Sequence, residues 1–99
     1  MKRQKRERLD VIKDILGVIL LNRNLLPTKL LYKTNMSPNG LKEYTRFLLD
    51  KGLINKSTII KPGRAKIEHA IYNLTELGRQ YLEDYKAVEM FTEKYGLND

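Results

Sequence analysis

Hydrophobic positions near the start of the chain recur at helical spacing. Leu9, Ile12, Ile15, Leu16, Ile19 and Leu20 fall on one wide stripe, which predicts a helix over about residues 7–23. Val11, Val18 and Leu21 lie off that stripe and make a second, weaker apolar face. This helix is therefore expected to be covered on two sides, with the start of the last helix over Val11 and Val18. Asn22–Asn24 reads as its stop, and Leu25–Leu26 as a very short strand before Pro27. Thr28–Lys33 has room for about two turns, with Leu30 and Leu31 facing inward. Asn35-Met36-Ser37-Pro38 then breaks the chain. Ser37 suits an N-cap, and Pro38 suits the first helical position, where a missing N–H costs nothing. A third helix follows from Pro38 to about Lys51, with Gly52 where a C-terminal glycine usually stands. Its core face is Leu41, Tyr44, Thr45 and Leu48; its opposite face is Asn39, Lys42, Glu43, Arg46 and Asp50.

Beyond Gly52 the texture changes. Leu53-Ile54 and Thr58-Ile59-Ile60 are rich in strand formers, and Lys61-Pro62-Gly63-Arg64 signals a turn. Pro-Gly favours type II geometry, which splays a tight hairpin, so a wider loop is expected. A second strand runs from about Lys66 to Asn73, with Ala70, Tyr72 and Leu74 on one face and Ile67, His69 and Ile71 on the other. Thr75 is an N-cap, and Glu76 complements the helix dipole in the first turn. The last helix extends to about Tyr95, before Gly96, and carries Leu77, Tyr81, Tyr85, Val88, Phe91 and Tyr95 on one stripe.

The chain of 99 residues suits one compact domain with perhaps one appended element. It contains no cysteine, which excludes disulfides, thiol nucleophiles and thiolate metal sites. The basic start lacks the apolar stretch of a secretory signal, and the longest apolar run, Val18–Leu21, cannot span a bilayer. A soluble cytoplasmic protein is expected. The net charge of +7 is unevenly placed. Residues 1–66 hold 16 basic and 5 acidic side chains, whereas residues 67–99 hold 3 basic and 7 acidic ones. The first part attracts polyanions and the tail does not.

The order helix, short helix, turn, helix, hairpin, helix contains a helix-turn-helix, whose second helix enters the major groove of DNA. Asn35-Met36-Ser37, leading into Tyr44-x-x-x-Leu48-Leu49-x-x-Gly52-Leu53-Ile54 and then Tyr72-x-Leu74-Thr75-x-x-Gly78-x-x-x-Leu82, resembles the winged-helix DNA-binding proteins common in archaea. The likeness is greatest to small basic archaeal chromosomal proteins in which a dimerising C-terminal helix follows the winged helix, and it covers roughly residues 9–95. The last helix here is shorter than a long coiled-coil arm, and the wing is longer. The resemblance implies an α+β, mainly helical fold: a winged helix-turn-helix with a two-stranded wing and a long C-terminal helix. It also implies duplex DNA as partner and an antiparallel pair of C-terminal helices as the dimer contact. The division expected is 1–74 for the winged helix with its basic arm and 75–99 for the dimerisation helix.

Within the expected recognition helix, 38–51, Ser37, Asn39, Lys42, Glu43 and Arg46 are the candidate DNA contacts. Asn pairs bidentately with adenine and Arg with guanine, while Lys42 suits a base or a phosphate. Glu43 either accepts from cytosine or excludes wrong sites. The plain alternative is a solvated helix face. In the wing, 59–68, Lys61, Arg64 and Lys66 flank the turn and suit phosphate contact, against the ordinary role of lysine at a soluble tip. Arg3, Lys5 and Arg6, with Lys2 and Arg8, form a basic arm that is either a DNA contact or a frayed end. Lys29 and Lys33 are weaker candidates for backbone contact.

The last helix is acidic, with Glu76, Glu83, Asp84, Glu89 and Glu93, so its aromatic stripe reads as a packing seam rather than a base-stacking set. Leu77, Tyr81, Tyr85, Val88, Phe91 and Tyr95 are the candidate homodimer contacts. His69 is the single histidine, and no glycine-rich phosphate loop is present. No enzyme, metal site, cofactor, membrane or small-molecule ligand is expected. A protein–protein winged helix and an RNA-binding module remain the alternatives to duplex-DNA binding.

Overall fold

The computed structural model describes residues 4–61, 63 and 67–97. It contains α1 (Gln4–Leu21), α2 (Pro27–Thr34), α3 (Pro38–Asp50), β1 (Ile54–Lys61), β2 (Ile67–Leu74) and α4 (Glu76–Lys94). The strands form an antiparallel hairpin in register from Ile54 opposite Leu74 to Lys61 opposite Ile67. This is the mainly helical α+β architecture that the sequence predicts.

Four residues of α1 supply the centre of the core: Ile12, Ile15, Leu16 and Ile19 are buried, together with Leu30, Leu41, Leu48 and Ile54. The expected stripe is narrower than its sequence extent, because Leu9 and Leu20 at its ends are exposed. Val11 and Val18 are half-buried against the core. α4 instead meets α1 along Leu9 and Lys13: the Tyr81 hydroxyl donates to the Leu9 carbonyl at 3.0 Å, and Lys13 reaches Glu89 at 3.7 Å. Leu9 and Lys13 lie on the opposite side of the helix from Val11 and Val18, so α4 does not take the expected face.

Two other expectations change. α1 begins at Gln4 rather than Glu7, so Lys5 and Arg6 belong to its first turns and not to a separate arm. Leu25–Leu26 forms no strand; Leu26 is the extended N-cap of α2, and its carbonyl accepts from the Leu30 N–H at 3.0 Å. Pro27 at the start of the helix fixes this geometry, leaving no strand partner for so short a segment.

Three residues join α2 to α3. Asn35 adopts a left-handed conformation (φ 56°) and its N–H donates to the Tyr32 carbonyl, while the Met36 N–H reaches the Leu31 carbonyl. These bonds satisfy carbonyls that a helix end would otherwise orphan. Ser37 then caps α3, its hydroxyl oxygen accepting from the Gly40 N–H at 3.1 Å. Gly52, at φ 76°, turns the chain out of α3 into the hairpin.

A hydrogen-bonded junction adds to the core packing of Ile54 in holding the hairpin base to the body. The Thr75 hydroxyl donates to the Gly52 carbonyl at 2.6 Å and accepts from the Gly78 N–H at 3.1 Å. The Thr75 N–H donates to the Leu53 carbonyl at 3.2 Å. The end of α3, the start of β1 and the start of α4 are thereby tied together. Gly78 is required by that closeness: a Cβ there would fall onto the Leu53 carbonyl oxygen and lie 2.6 Å from Leu74 Cδ1.

Candidate nucleic-acid interface

The amphipathic pattern of α3 sets its two faces. Leu41, Thr45 and Leu48 are buried, and Tyr44 is half-buried. Asn39, Lys42, Glu43, Arg46 and Asp50 are exposed on the opposite face, as their spacing predicts. From Asn39 to Arg46 this face runs about two turns, or roughly 10 Å at 1.5 Å per residue. Among the described residues neither Lys42 nor Arg46 forms an ion pair. Their donors therefore remain available to an external acceptor. Ser37 is exposed at the start of the same helix, where its oxygen accepts the cap bond and its hydroxyl proton is left to give.

The far end of α3 gathers cations that residue spacing does not reveal. The Arg8 guanidinium lies 4.4 Å from the centre of the Phe47 ring, and the Lys51 ammonium 5.5 Å from it. Both rest over an aromatic face, which attracts cations through its quadrupole. The contact places the start of α1 beside the C-terminal end of α3, at the opposite end from Asn39. Of Lys5 and Arg6 only the backbone is described, and Arg3 lies outside the described residues.

α2 adds a further exposed group. Tyr32 is 77% exposed, between the exposed Lys29 and Lys33. Their spacing of three and four residues puts all three on one face. Lys29 and Lys33 are legible as candidates in the sequence; Tyr32 could have been found from the same spacing.

In the wing, Lys61 is the last residue of β1, described for its backbone only, and Arg64 and Lys66 lie outside the described residues. The strands end at Lys61 and resume at Ile67, and the expected wide loop between them lies, apart from Gly63, outside the described residues. Asn73 donates through Nδ2 to Asn55 Oδ1 at 3.0 Å and to Ser57 Oγ at 2.9 Å, a polar clasp across the exposed ladder. His69 is half-buried within β2.

The apolar stripe of α4 divides in two. Tyr81 and Tyr85 are half-buried, stacked with ring centres 6.1 Å apart, and face α1. Leu77 and the distal Val88, Phe91 and Tyr95 are exposed, with the last two rings 5.0 Å apart. Burial, with a smaller contribution from the Asp10 carboxylate, raises the Tyr81 hydroxyl above its ordinary pKa of 10.0. Among the described residues no cluster of three His, Cys, Asp or Glu side chains is placed to hold a metal ion. No described helix is long and apolar enough to cross a membrane.

Two helices joined by a tight turn, the second with a free polar face and followed by an antiparallel hairpin, define a helix-turn-helix unit with a wing. The chain belongs to the winged helix-turn-helix family, which matches residues 5–93. DNA binding is the general activity of such domains, and they are typically not enzymes. A comparison with curated proteins gives no match.

Proposed function

We propose that the protein binds double-stranded DNA as a homodimer and acts as a transcriptional regulator or as an architectural protein of the nucleoid. In this reading α3 lies in the major groove, with Asn39, Lys42, Glu43 and Arg46 toward the bases and Ser37 toward the backbone. The wing, with Lys61, Arg64 and Lys66, lies on the backbone or in the minor groove. Arg3, Lys5 and Arg6 follow the flanking phosphates, beyond Arg8 and Lys51 at the end of α3. The observation that carries the reading is the exposed α3 face, whose Lys42 and Arg46 have no ion-pair partner among the described residues. The charge split supports it, because the basic part of the chain contains the whole helix-turn-helix.

The dimer rests on α4. A furrow of about 510 Å3 runs between α1 and α4, lined in part by Leu9, Tyr85, Val88 and Leu97. Beside it Phe91 and Tyr95 are exposed, an apolar surface that a second copy would cover. Residues 75–99 then serve as the dimerisation helix and residues 1–74 as the DNA-binding part, as in the archaeal chromosomal proteins that the sequence resembles. A two-fold axis would present two recognition helices to a pseudo-palindromic site.

The test is competition between a random duplex pool and single-stranded RNA of matched length for the intact protein. Preferred capture of duplex is the expected result. Preference for RNA would replace this reading with an RNA-binding one, and capture of neither would favour a protein partner.

A further inference from the structure

A second hollow, of about 470 Å3, opens between the start of α1, the end of α3 and the first turns of α4. Leu9, Phe47, Leu53, Leu77 and Tyr81 line it, so its wall is mainly apolar. Leu9 on α1 and Leu77 on α4 are each about half exposed there. The walls are tied to one another. The Tyr81 hydroxyl donates to the Leu9 carbonyl at 3.0 Å, and the Thr75 N–H, at the start of α4, donates to the Leu53 carbonyl at 3.2 Å. The hollow is therefore built before any ligand arrives. Two cations stand at it. Arg8 and Lys51 both line it, and both rest on the Phe47 ring, at 4.4 and 5.5 Å from its centre. Among the described residues neither has an ion-pair partner. The one acid among the lining residues is Asp84, on the α4 side.

We infer that this hollow binds a small amphipathic acid: one carboxylate on an aromatic or aliphatic body, the carboxylate on Arg8 and Lys51 and the body over Leu9, Leu53 and Leu77. The inference goes beyond the duplex-DNA reading, because it uses none of the residues assigned there to the bases. Its form is the usual one for a small-ligand site, an apolar concavity of about 300–1,000 Å3 with a few polar groups that fix orientation. The cations give the sign of the ligand's charge, and their shared place beside Phe47 gives its position. A phosphate backbone would satisfy Arg8 and Lys51 but leave Leu9 and Leu77 in water. A long acidic chain would satisfy both but run on along α4, where Glu76, Glu83 and Asp84 repel it. A ligand that ends within the hollow keeps its single charge at the two cations and its apolar part against the remaining wall. Asp84 sets the same orientation, because it turns a carboxylate away from the α4 side.

The experiment titrates the intact protein, without DNA, with 2-naphthoate, with its uncharged amide 2-naphthamide and with acetate. Calorimetry measures binding, and backbone amide shifts in NMR locate it. One naphthoate per chain is expected, with shifts centred on Leu9, Lys51, Leu53 and Leu77. Naphthamide should bind about tenfold more weakly, since two exposed charge contacts are each worth a few-fold. Acetate, which has no apolar body, should not saturate. Arg8→Gln/Lys51→Gln should bring naphthoate down to the affinity of the amide and leave the amide unchanged. Both positions are exposed, and circular dichroism checks that the variant folds. Should it not fold, the ratio of acid to amide on the intact protein decides. Equal binding of acid and amide overturns the inference, and so does a variant that holds naphthoate as tightly as the intact protein. No saturation by naphthoate at millimolar concentration overturns it too. Shifts centred on Val88 and Thr92 would put the acid in the other furrow, and dissociation of a dimer by naphthoate in sedimentation would make the hollow part of a contact between copies; either result overturns it. With no DNA present, each of these results leaves the duplex-DNA reading where it stood.

Discussion

Replacing Gly78 by alanine sets helix propensity against packing at the junction that holds the wing. Alanine favours a helix interior over glycine by about 1 kcal/mol, so propensity alone predicts a more stable protein. The added methyl, however, would meet the Leu53 carbonyl oxygen and lie 2.6 Å from Leu74 Cδ1. The oxygen cannot simply swing away. It accepts from the Thr75 N–H at 3.2 Å, and the Leu53 N–H is itself held by the Leu48 carbonyl at 3.0 Å. Overpacking costs about 1–3 kcal/mol, and an obstacle of hydrogen-bonded backbone belongs at the upper end. The net expectation is a loss of about 2 kcal/mol, or roughly 8–16 °C in Tm for a domain of this size. Thermal unfolding followed by circular dichroism, at one protomer concentration for both proteins, measures it. An unchanged or higher Tm would mean that propensity wins and that α4 does not start as close to Leu53 as described.

Three further outcomes are expected. Arg46→Ala should weaken binding to the best duplex by about 1–3 kcal/mol and relax sequence preference, whereas Arg64→Ala should weaken all duplexes alike. Selection from a random pool with each variant checks this, and a loss confined to one base pair for Arg64→Ala would contradict the division of labour. Val88→Glu/Phe91→Glu should convert a dimer to a monomer in sedimentation while keeping helix content; an intact protein already monomeric at high micromolar concentration would refute the dimer. Tyr81 has a raised folded pKa, so its contribution is fully present below the ordinary value of 10.0 and is lost as pH rises beyond it. The intact protein should therefore lose stability above about pH 10 more steeply than Tyr81→Phe, which has no proton to release. Equal alkaline slopes in urea melts would contradict this.

The helices and the polar face of α3 were legible because their signals are local. Ser37, Pro38 and Gly52 act within their own turns, and the spacing of Leu41, Thr45 and Leu48 leaves one orientation for Lys42 and Arg46. The pairing of Gly52-Leu53-Ile54 with Thr75-x-x-Gly78 was visible as a motif, and the junction supplies its physical reason. Gly52 and Leu53 offer the carbonyls that Thr75 bonds, and Gly78 leaves the space between them. What the sequence missed is long-range. Periodicity ranks apolar faces of α1 by residue type, but α4 docks where Tyr81 finds the Leu9 carbonyl and Lys13 finds Glu89. The Arg8–Phe47–Lys51 group joins residues from two helices, so no local pattern announces it. Ile60 and Ile67 read as ordinary strand formers until the ladder sets them at the far end of the hairpin, each more than half exposed.

The account stands most directly on the affinity for a selected duplex measured from about 50 to 200 mM salt. A protein that neutralises phosphates releases counterions, so log K should fall linearly with log salt at a slope near −0.9 per phosphate contacted. The prediction is a steep line for the intact protein, shallower by about one unit when a phosphate-contacting cation is removed. A flat line, with duplex affinity indifferent to salt, would contradict the proposal that this basic winged helix works on DNA.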